Sequence, residues 1–253
     1  MSTAGPFVIS FKDHFSGHAA DYRRARPRYP DALFDFLAGA AVRHDLAWDC
    51  ATGNGQAALS LAGRFARVIA TDASEQQVAM AERVPGVEYR TATAEDSGLD
   101  DASVDLVTVA QALHWFDIEA FDRELRRVVR PGGVVAAWCY GMCSIEPACD
   151  RIVHRFYDAL AQWWPPERAL VERGYRDIDL PGAPLDSPVF SMTADWRADD
   201  MLDYVRTWSA TQRCARDTGA DPVTAIATEL AAAWRNETRR VFWPLHLKVS
   251  RLA

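Results

Sequence analysis

The sequence lacks the features that would place the chain in a membrane or on a nucleic acid. No apolar run approaches the ~18 residues of a membrane-spanning helix, and the first residues show no charged and then apolar signal segment. Lysine and arginine number 28 against 35 aspartate and glutamate residues, so the net charge is −7 and the basic excess of a phosphate-binding surface is missing. We therefore expect a cytoplasmic protein that acts on a small molecule and has neither a nucleic-acid nor a membrane partner.

The cysteines give no sign of a disulfide framework or a zinc site. They number five, which is odd, and follow no spacing of zinc ligands, so we expect reduced thiols and no metal. Internal repeats and low-complexity tracts are also missing. The 253 residues, of which 49% are hydrophobic and 25% charged, are enough for one sizeable core in a single domain.

A glycine-bearing turn at 51–55 is the segment around which the rest of the chain is organised. The apolar lead-in to this turn ends in Asp49, as a buried strand does at its carboxyl end. Gly53 and Gly55 allow the backbone to approach a ligand that any Cβ would hold away. The next segment, 56–62, is rich in helix formers, and the first N–H groups of a helix there would point back at the ligand. The pattern predicts a strand, a turn and a helix that bind a nucleotide-like cofactor.

A second predicted strand, at 67–71, ends in Asp72. A carboxylate at this position suits the two hydroxyl groups of a ribose, because it accepts a hydrogen bond from each of them. Two alternatives stay open. The glycines can belong to an ordinary turn while Asp72 caps the next helix. The pattern Gly53-x-Gly55-x-x-Ala58 also fits the fingerprint of dinucleotide-binding proteins.

Short apolar segments alternate with helical segments between 45 and 140, which predicts a parallel sheet covered on both faces. The predicted strands lie at 46–49, 67–71, 87–91, 106–111 and 134–139. The predicted helices lie at 56–62, 74–83 and 118–130. An amphipathic helix that carries Leu33, Phe34 and Leu37 on one side is expected to precede them.

The pattern is less regular beyond residue 140. Helices are predicted at 145–164, 198–212 and 222–235, strands at 189–196 and 240–251, and a proline-rich surface loop at 165–187. The two strands are expected to form an antiparallel edge of the sheet, with the final strand inserted between the fifth and the sixth. Pro244 then needs an edge or a bulge, because proline donates no hydrogen bond to a neighbouring strand.

The glycine turn resembles the first motif of class I S-adenosylmethionine-dependent methyltransferases. The similar sequence is Asp49-x-Ala51-x-Gly53-x-Gly55, in which the family usually has glycine at the position of Ala51. Asp72 matches the acid that binds the ribose in this family. The resemblance therefore implies S-adenosylmethionine as the cofactor.

Two further segments carry the same resemblance. Arg-Pro-Gly-Gly at 130–133 precedes the fifth predicted strand, and Tyr-x-x-x-Arg-Pro-x-Tyr-Pro at 22–30 resembles the N-terminal segment of a subgroup that includes trans-aconitate methyltransferase-like (methyltransferase type 11) proteins. The resemblance implies an α/β fold: a Rossmann-like, mostly parallel seven-stranded sheet flanked by helices, with an antiparallel C-terminal edge and a helical cap. It also implies a single methyltransferase domain over 1–253, with cofactor-covering helices at 1–44, the cofactor-binding core at 45–140, and substrate-side helical insertions and the last strands at 141–253.

The resemblance assigns contacts to the cofactor. It implies that Tyr22 and Arg26 bind the methionine carboxylate of the cofactor, because an arginine fork binds a carboxylate with two hydrogen bonds. It also implies that the loop at 92–105 contacts the adenine, and in this loop Thr93 replaces the acid that the family has. The alternatives in this loop are the Thr93 hydroxyl, the Ala94 amide, Glu95 and Asp96. The full set of implied cofactor residues is Tyr22, Arg26, Asp49, Ala51, Gly53, Gly55, Asp72, Thr93, Ala94, Glu95 and Gln111.

The substrate side is expected after the fourth strand, because ligands lie outside the C-terminal ends of strands in open parallel sheets. His114 and Trp115 follow that strand and resemble part of the subgroup's His-Trp-Phe segment, which makes His114 a candidate base or positioning residue and Trp115 a pocket residue. The segment 204–213 resembles one at the mouth of the subgroup's active site, and Arg206 in it is a candidate clamp for the substrate. The alternative for this segment is an amphipathic helix that buries its aromatic residues.

The reaction implied by the resemblance is attack by a substrate oxygen or nitrogen on the methyl group of the sulfonium cofactor. A carboxylate acceptor is ionised near neutral pH, since its reference pKa is about 4, and needs an arginine clamp instead of a base. An alcohol, phenol or amine needs help with its proton, for which His114 is the candidate. We therefore expect O-methylation of a carboxylate or hydroxyl on a small molecule. The alternatives are an NAD-dependent oxidoreductase and a non-catalytic protein that binds S-adenosylmethionine.

Overall fold

The computed structural model describes residues 26–253, and a seven-stranded sheet lies at their centre. Its strands are β1 (Leu46–Cys50), β2 (Arg67–Asp72), β3 (Val87–Thr91), β4 (Val104–Ala110), β5 (Val129–Cys139), β6 (Ala183–Pro184) and β9 (His246–Arg251). Two further strands, β7 (Ser191–Trp196) and β8 (Arg239–Pro244), form a second sheet. The order in the main sheet is β3-β2-β1-β4-β5-β9-β6. Strands β1 to β5 run parallel, and β9 runs antiparallel to both of its neighbours. This arrangement confirms the predicted Rossmann-like sheet.

Both faces of the sheet are covered, and the side chains of each strand alternate between them. On β1, Ala47 belongs to one apolar cluster and Trp48 to the other, as the two-residue period of a strand requires. Leu106 and Val107 on β4 divide in the same way. Every residue of β1 is buried, which explains why its sequence is an apolar run interrupted by one acid, Asp49.

Helices form the two covering layers and a cap. The α-helices among residues 26–253 are α1 (Asp31–Ala40), α2 (Gln56–Leu61), α3 (Glu75–Met80), α4 (Ile118–Val128), α5 (Pro147–Ala159), α6 (Arg168–Glu172), α7 (Ala198–Arg206), α8 (Ser209–Thr218) and α9 (Thr224–Trp234). Leu33, Phe34 and Leu37 of α1 are buried, as their spacing predicted. Helix α7 packs against α8, α9 and β7, and α9 packs against α5, which gives the predicted helical cap. None of the helices described here is long and apolar enough to cross a membrane.

The last strands differ in part from the prediction. The segment predicted as one strand over 240–251 divides at Leu245 into β8 and β9. Strand β9 is inserted between β5 and β6 as expected, but β8 pairs with β7 in a separate two-stranded antiparallel sheet. Pro244 is the last residue of β8 and pairs with Ser191, so its missing N–H falls at the end of a short ladder.

Two other predicted elements in the C-terminal half are wrong in detail. The helix predicted over 198–212 is two helices, α7 and α8, because Trp208 between them has an extended backbone with φ −66° and ψ 137°. The segment 165–187, predicted as a loop, contains α6 and the edge strand β6. Both differences matter for function, because Trp208 and the first residue of α6 line the cavity described next.

Candidate active site

A cavity of about 790 Å³ lies at the C-terminal ends of the parallel strands. Its wall includes Ala51 after β1, Asp72 at the end of β2, Gln111 after β4 and Tyr140 after β5. The volume falls within the ~300–1,000 Å³ that is usual for small-molecule sites. Open parallel sheets bind their ligands at this edge, so the cavity is the candidate active site.

Gly53 gives the cavity an open place at the glycine turn. Its backbone is left-handed, with φ +56°, and it lines the cavity. Among residues 26–253, the atom nearest to a Cβ built on Gly53 would be Gln77 Oε1, at 4.0 Å. The described residues leave this space open, and the contact of Gly53 with the cofactor stays a prediction.

Gly55 serves packing and does not line the cavity. Its φ is +91°, and a Cβ there would clash with the Tyr89 hydroxyl and lie 3.0 Å from the ring atoms Cε1 and Cζ. The structure thus places the side chain of Tyr89, from β3, against the turn. The predicted contact of Gly55 with the cofactor stays a prediction, and the contact that the structure shows is with Tyr89.

Asp49 also lies behind the cavity wall. Its carboxylate is fully buried and accepts hydrogen bonds from the Thr52 hydroxyl at 2.5 Å and from the Thr108 hydroxyl at 2.7 Å. Burial raises the pKa of Asp49 to about 6, against the opposing effect of these two hydroxyl groups. Since Thr52 belongs to the turn and Thr108 to β4, Asp49 joins the turn to the sheet, and its contact with the cofactor stays a prediction.

Asp72 has the position that a ribose-binding acid requires. It lines the cavity, and its Oδ2 and Oδ1 atoms accept hydrogen bonds from the Gly53 N–H at 2.8 Å and the Ser74 N–H at 2.9 Å. These two bonds hold the carboxylate in place on the cavity wall. Together with the open place beside Gly53, this geometry fits the ribose of S-adenosylmethionine.

The loop after β3 supplies three of the four predicted adenine residues to the cavity. Thr93, Ala94 and Glu95 line it, whereas Asp96 is exposed and lies outside the wall. The Thr93 hydroxyl accepts a hydrogen bond from the Asp96 N–H at 3.2 Å, so its own proton is free to be donated elsewhere. Glu95 accepts one from the Asp117 N–H at 3.1 Å, which joins the loop to the start of α4.

Gln111 lines the cavity but uses its amide within the protein. Its Nε2 group donates to the Tyr140 carbonyl at 3.0 Å, and its Oε1 atom accepts from the Tyr140 N–H at 2.9 Å. This pair joins the ends of β4 and β5 and positions Tyr140. Gln111 therefore contributes to a cofactor site by shaping the wall.

Arg26 lies on the cavity wall among aromatic residues. Its Nη1 group donates to the Tyr140 hydroxyl at 2.9 Å, and its guanidinium carbon lies 5.1 Å from the centre of the Tyr204 ring. This placement is compatible with the predicted contact to the methionine carboxylate, which stays a prediction. Tyr22, its predicted partner, lies outside the described residues.

His114 is on the cavity wall and is held by a residue that the sequence did not indicate. Its Nδ1 atom lies 2.8 Å from the Tyr175 hydroxyl, and its ring centre lies 4.5 Å from that of Trp115. The histidine is 9% exposed, and burial, helped by the charge of Arg168, lowers its pKa to about 3. The imidazole is therefore neutral at physiological pH. Trp115 lines the cavity as predicted.

The predicted clamp, Arg206, is not in the cavity. Its guanidinium is exposed and binds the carboxylates of Asp203 at 2.9 Å and Asp221 at 3.1 Å. Tyr204 and Trp208 from the same segment are buried and also line the cavity, so the two interpretations of this segment are both partly right. An arginine that does line the cavity on the C-terminal side of the sequence is Arg168, at the start of α6.

Sequence reasoning missed Arg168 and Tyr175 because both belong to the segment interpreted as a loop. That segment has no hydrophobic periodicity from which a site could be found. The sequence does contain a sign that Arg206 is occupied. Asp203 lies three residues before it on a predicted helix, and side chains at this spacing form ion pairs.

Comparison with known proteins supports the geometry. The family model of a methyltransferase domain matches residues 48–137, which contain the glycine turn, Asp72 and His114. A protein of Dictyostelium discoideum that is named as a methyltransferase is 32% identical over 240 residues, or 93% of this chain and 91% of that protein. A solved structure from Anaeromyxobacter dehalogenans, described as a type II methyltransferase, is 47% identical with a TM-score of 0.82, and covers 89% of this chain and 97% of its own.

These relatives match along almost the whole chain, and both are named as methyltransferases. The alternatives of an NAD-dependent oxidoreductase and of a non-catalytic binding protein find no support among them. The match also agrees with the site, in which Asp72 and the open place beside Gly53 fit the cofactor. The chain belongs to the class I S-adenosylmethionine-dependent methyltransferases, and S-adenosylmethionine is its cofactor.

Proposed function

We propose that the protein transfers a methyl group from S-adenosylmethionine to an oxygen atom of a small molecule, either a carboxylate or a hydroxyl oxygen. The observation that carries this proposal is that the cavity wall contains two chemically different groups of residues. One is polar and includes Thr93 together with Gly53 and Asp72, which share a hydrogen bond. The other, called the aromatic end, has His114 in ring contact with Trp115 and Arg168 stacked on an aromatic ring.

The aromatic end suits an acceptor with an apolar body. It is lined by Trp115, Trp164, Tyr204 and Trp208, and His114, Glu167 and Arg168 line the cavity beside them. Large rings in a cavity offer apolar area for a flat or aliphatic skeleton, while a small number of polar groups fix its orientation. Such a site favours a small organic molecule over a charged polymer.

The chemistry asks the protein mainly for positioning. S-adenosylmethionine supplies a methyl group whose bond to a sulfonium sulfur breaks as the acceptor oxygen forms its bond to carbon, with the electron pair left on sulfur. The side chains hold the acceptor and exclude water, and no covalent bond to the protein is needed. A carboxylate needs no deprotonation, whereas a hydroxyl proton would have to leave. His114 is a weak base for that task, since a group with a pKa of about 3 holds a proton poorly.

The proposal treats residues 1–253 as one methyltransferase domain. Arg26 and Tyr29 already line the cavity from the N-terminal side. We infer that the residues before them, including Tyr22, cover the bound cofactor. Within this domain, 45–140 forms the cofactor-binding core and 141–253 the substrate side.

The test is transfer of a labelled methyl group from S-adenosylmethionine into a panel of carboxylic acids and phenols. We expect the wild-type protein to methylate at least one member and Asp72→Asn to lose both transfer and affinity for S-adenosylhomocysteine. A protein that binds S-adenosylhomocysteine but methylates no member of the panel would contradict the proposal. Comparing His114→Ala on acids and phenols separates the two routes, because unchanged activity on both removes the base role.

A further inference from the structure

Arg168 is a cavity-lining cation with no carboxylate partner among residues 26–253. Its Nε group donates to the Tyr157 hydroxyl at 3.2 Å, and its guanidinium carbon lies 5.1 Å from the Trp164 ring centre and 5.7 Å from that of Tyr157. Stacking on two rings fixes the plane of the guanidinium. Arg168 lines the cavity, and within residues 26–253 its Nη groups donate no hydrogen bond.

The contrast with Arg206 shows that Arg168 is not an ordinary surface arginine. Arg206 is exposed and bound to two carboxylates, whereas Arg168 is half-buried and bound to none in the described range. Taking a charge partly out of water is unfavourable unless it gains a partner. The arrangement thus prepares the cavity for an anionic ligand.

His114 offers a second donor close to this cation. Tyr175 is fully buried, and its hydroxyl lies 2.8 Å from Nδ1 of His114. A tyrosine hydroxyl that donates its proton to Nδ1 makes that nitrogen the acceptor. A neutral imidazole that accepts at Nδ1 carries its proton on Nε2. The side of His114 that lines the cavity is then a hydrogen-bond donor.

The two donors belong to elements that pack together. Arg168 begins α6, and α6 packs against the turn Leu113–Trp115 that carries His114. We propose that Arg168 and the Nε2–H group of His114 form a subsite for a carboxylate group on the methyl acceptor. This inference rests on the proposed function and narrows it, because it makes the acceptor an organic acid with an apolar body. It also gives Tyr175 the role of a positioning residue that fixes the tautomer of His114.

The test of the subsite is binding to the protein already saturated with S-adenosylhomocysteine. The probes are benzoate, phenylacetate and hexanoate, each paired with its neutral amide, and calorimetry measures their affinities. We expect the acids to bind at least tenfold more tightly than the amides. Arg168→Gln should remove this preference without changing the affinity for S-adenosylhomocysteine, and Arg168→Lys should restore part of it. The matched control, Arg206→Gln, should behave as wild type.

A second measurement reads the tautomer directly. In protein labelled with ¹⁵N-histidine, NMR should show His114 protonated at Nε2 and unchanged between pH 5 and pH 8. Tyr175→Phe should disturb this tautomer and weaken acid binding while the amides are unaffected. A wild-type protein that binds amides as tightly as acids, or an Arg168→Gln variant that keeps the preference, would overturn the subsite. Methyl transfer to neutral acceptors alone would do so too, yet would leave the proposed methyltransferase function standing.

Discussion

Substituting Gly53 by alanine has two separate effects. The left-handed backbone of the turn disfavours any side chain, and the added methyl group occupies space in the cavity. The residue has φ +56° and lines the cavity, and among the described residues the atom nearest to its missing Cβ is Gln77 Oε1, at 4.0 Å. A left-handed alanine costs about 1–2 kcal/mol of folding stability. Because no atom of residues 26–253 would clash with the added methyl group, Gly53→Ala should lose about this much stability and no more.

The affinity of Gly53→Ala for the cofactor should also fall, because the added methyl group enters the space assigned to S-adenosylmethionine. Inserting a methyl group into a filled site costs about 1–3 kcal/mol, which corresponds to a loss of about 5- to 150-fold in affinity. Chemical unfolding without ligand measures the first effect. Calorimetric titration with S-adenosylhomocysteine measures the second.

Gly63 supplies the matched control. It has φ +85°, no atom within 4 Å of its missing Cβ, and a position outside the cavity wall. Gly63→Ala should therefore lose similar stability and keep full affinity for S-adenosylhomocysteine. Equal affinities of the two variants would refute the assignment of the space beside Gly53 to the cofactor.

Three further predictions concern residues around the site. Gly55→Ala should lower the unfolding free energy by about 3 kcal/mol, more than Gly63→Ala, since backbone strain and a clash with the Tyr89 hydroxyl add together. Adding Tyr89→Phe to Gly55→Ala should recover part of this loss, because it removes the clashing hydroxyl. The pKa of Asp49 is about 6 in the folded protein and 3.8 ordinarily, so deprotonation of this carboxyl disfavours the folded state. The unfolding free energy of wild type, relative to that of Asp49→Asn, should therefore fall by up to about 3 kcal/mol between pH 4 and pH 7. A difference between the two proteins that does not change with pH would contradict the burial argument. The pKa of His114 moves the other way, from 6.5 to about 3, so wild type should lose stability relative to His114→Gln as pH falls below 6.5, as urea unfolding at several pH values can measure.

The sheet and its cofactor edge were predictable because they depend on local patterns. A buried strand such as β1 is visible as an apolar run, and the turn after it is visible by its glycines. Asp72 could be placed at the cavity because every parallel strand ends at the same edge. The cap of α4 is similarly local, since Asp117 accepts a hydrogen bond from the Ala120 N–H at 3.0 Å.

The roles of individual residues were less predictable, because they depend on contacts between distant segments. Gly55 leaves room for the side chain of Tyr89 from β3, and Asp49 accepts a hydrogen bond from Thr108 of β4. No pattern within the turn distinguishes a glycine that faces a ligand from one that faces a tyrosine. No sequence pattern indicated Arg168 for a related reason, since the packing of α6 against the turn that carries His114 is a tertiary contact.

Strained backbone conformations connect the fold to the site. Three residues other than glycine have a left-handed backbone at or beside the cavity: Ala51 with φ 53°, Gln111 with φ 57° and Tyr175 with φ 57°. Each such conformation costs on the order of 1–3 kcal/mol and persists only where the surroundings enforce it. Gln111 is held by its amide pair with Tyr140, and Tyr175 by its contact with His114.

Ala51 has no polar side chain that could hold it in this way. The residues on either side of it must enforce its conformation instead. Asp49 accepts the Thr52 hydroxyl at 2.5 Å, and the Thr52 N–H donates to the Thr71 carbonyl at 2.8 Å, so Ala51 is bridged by bonds that begin at a buried carboxylate. This bridge gives a physical reason for an acid in the middle of the sheet. The carboxylate is unfavourable where it lies, and it is retained because it shapes the turn that the cofactor meets.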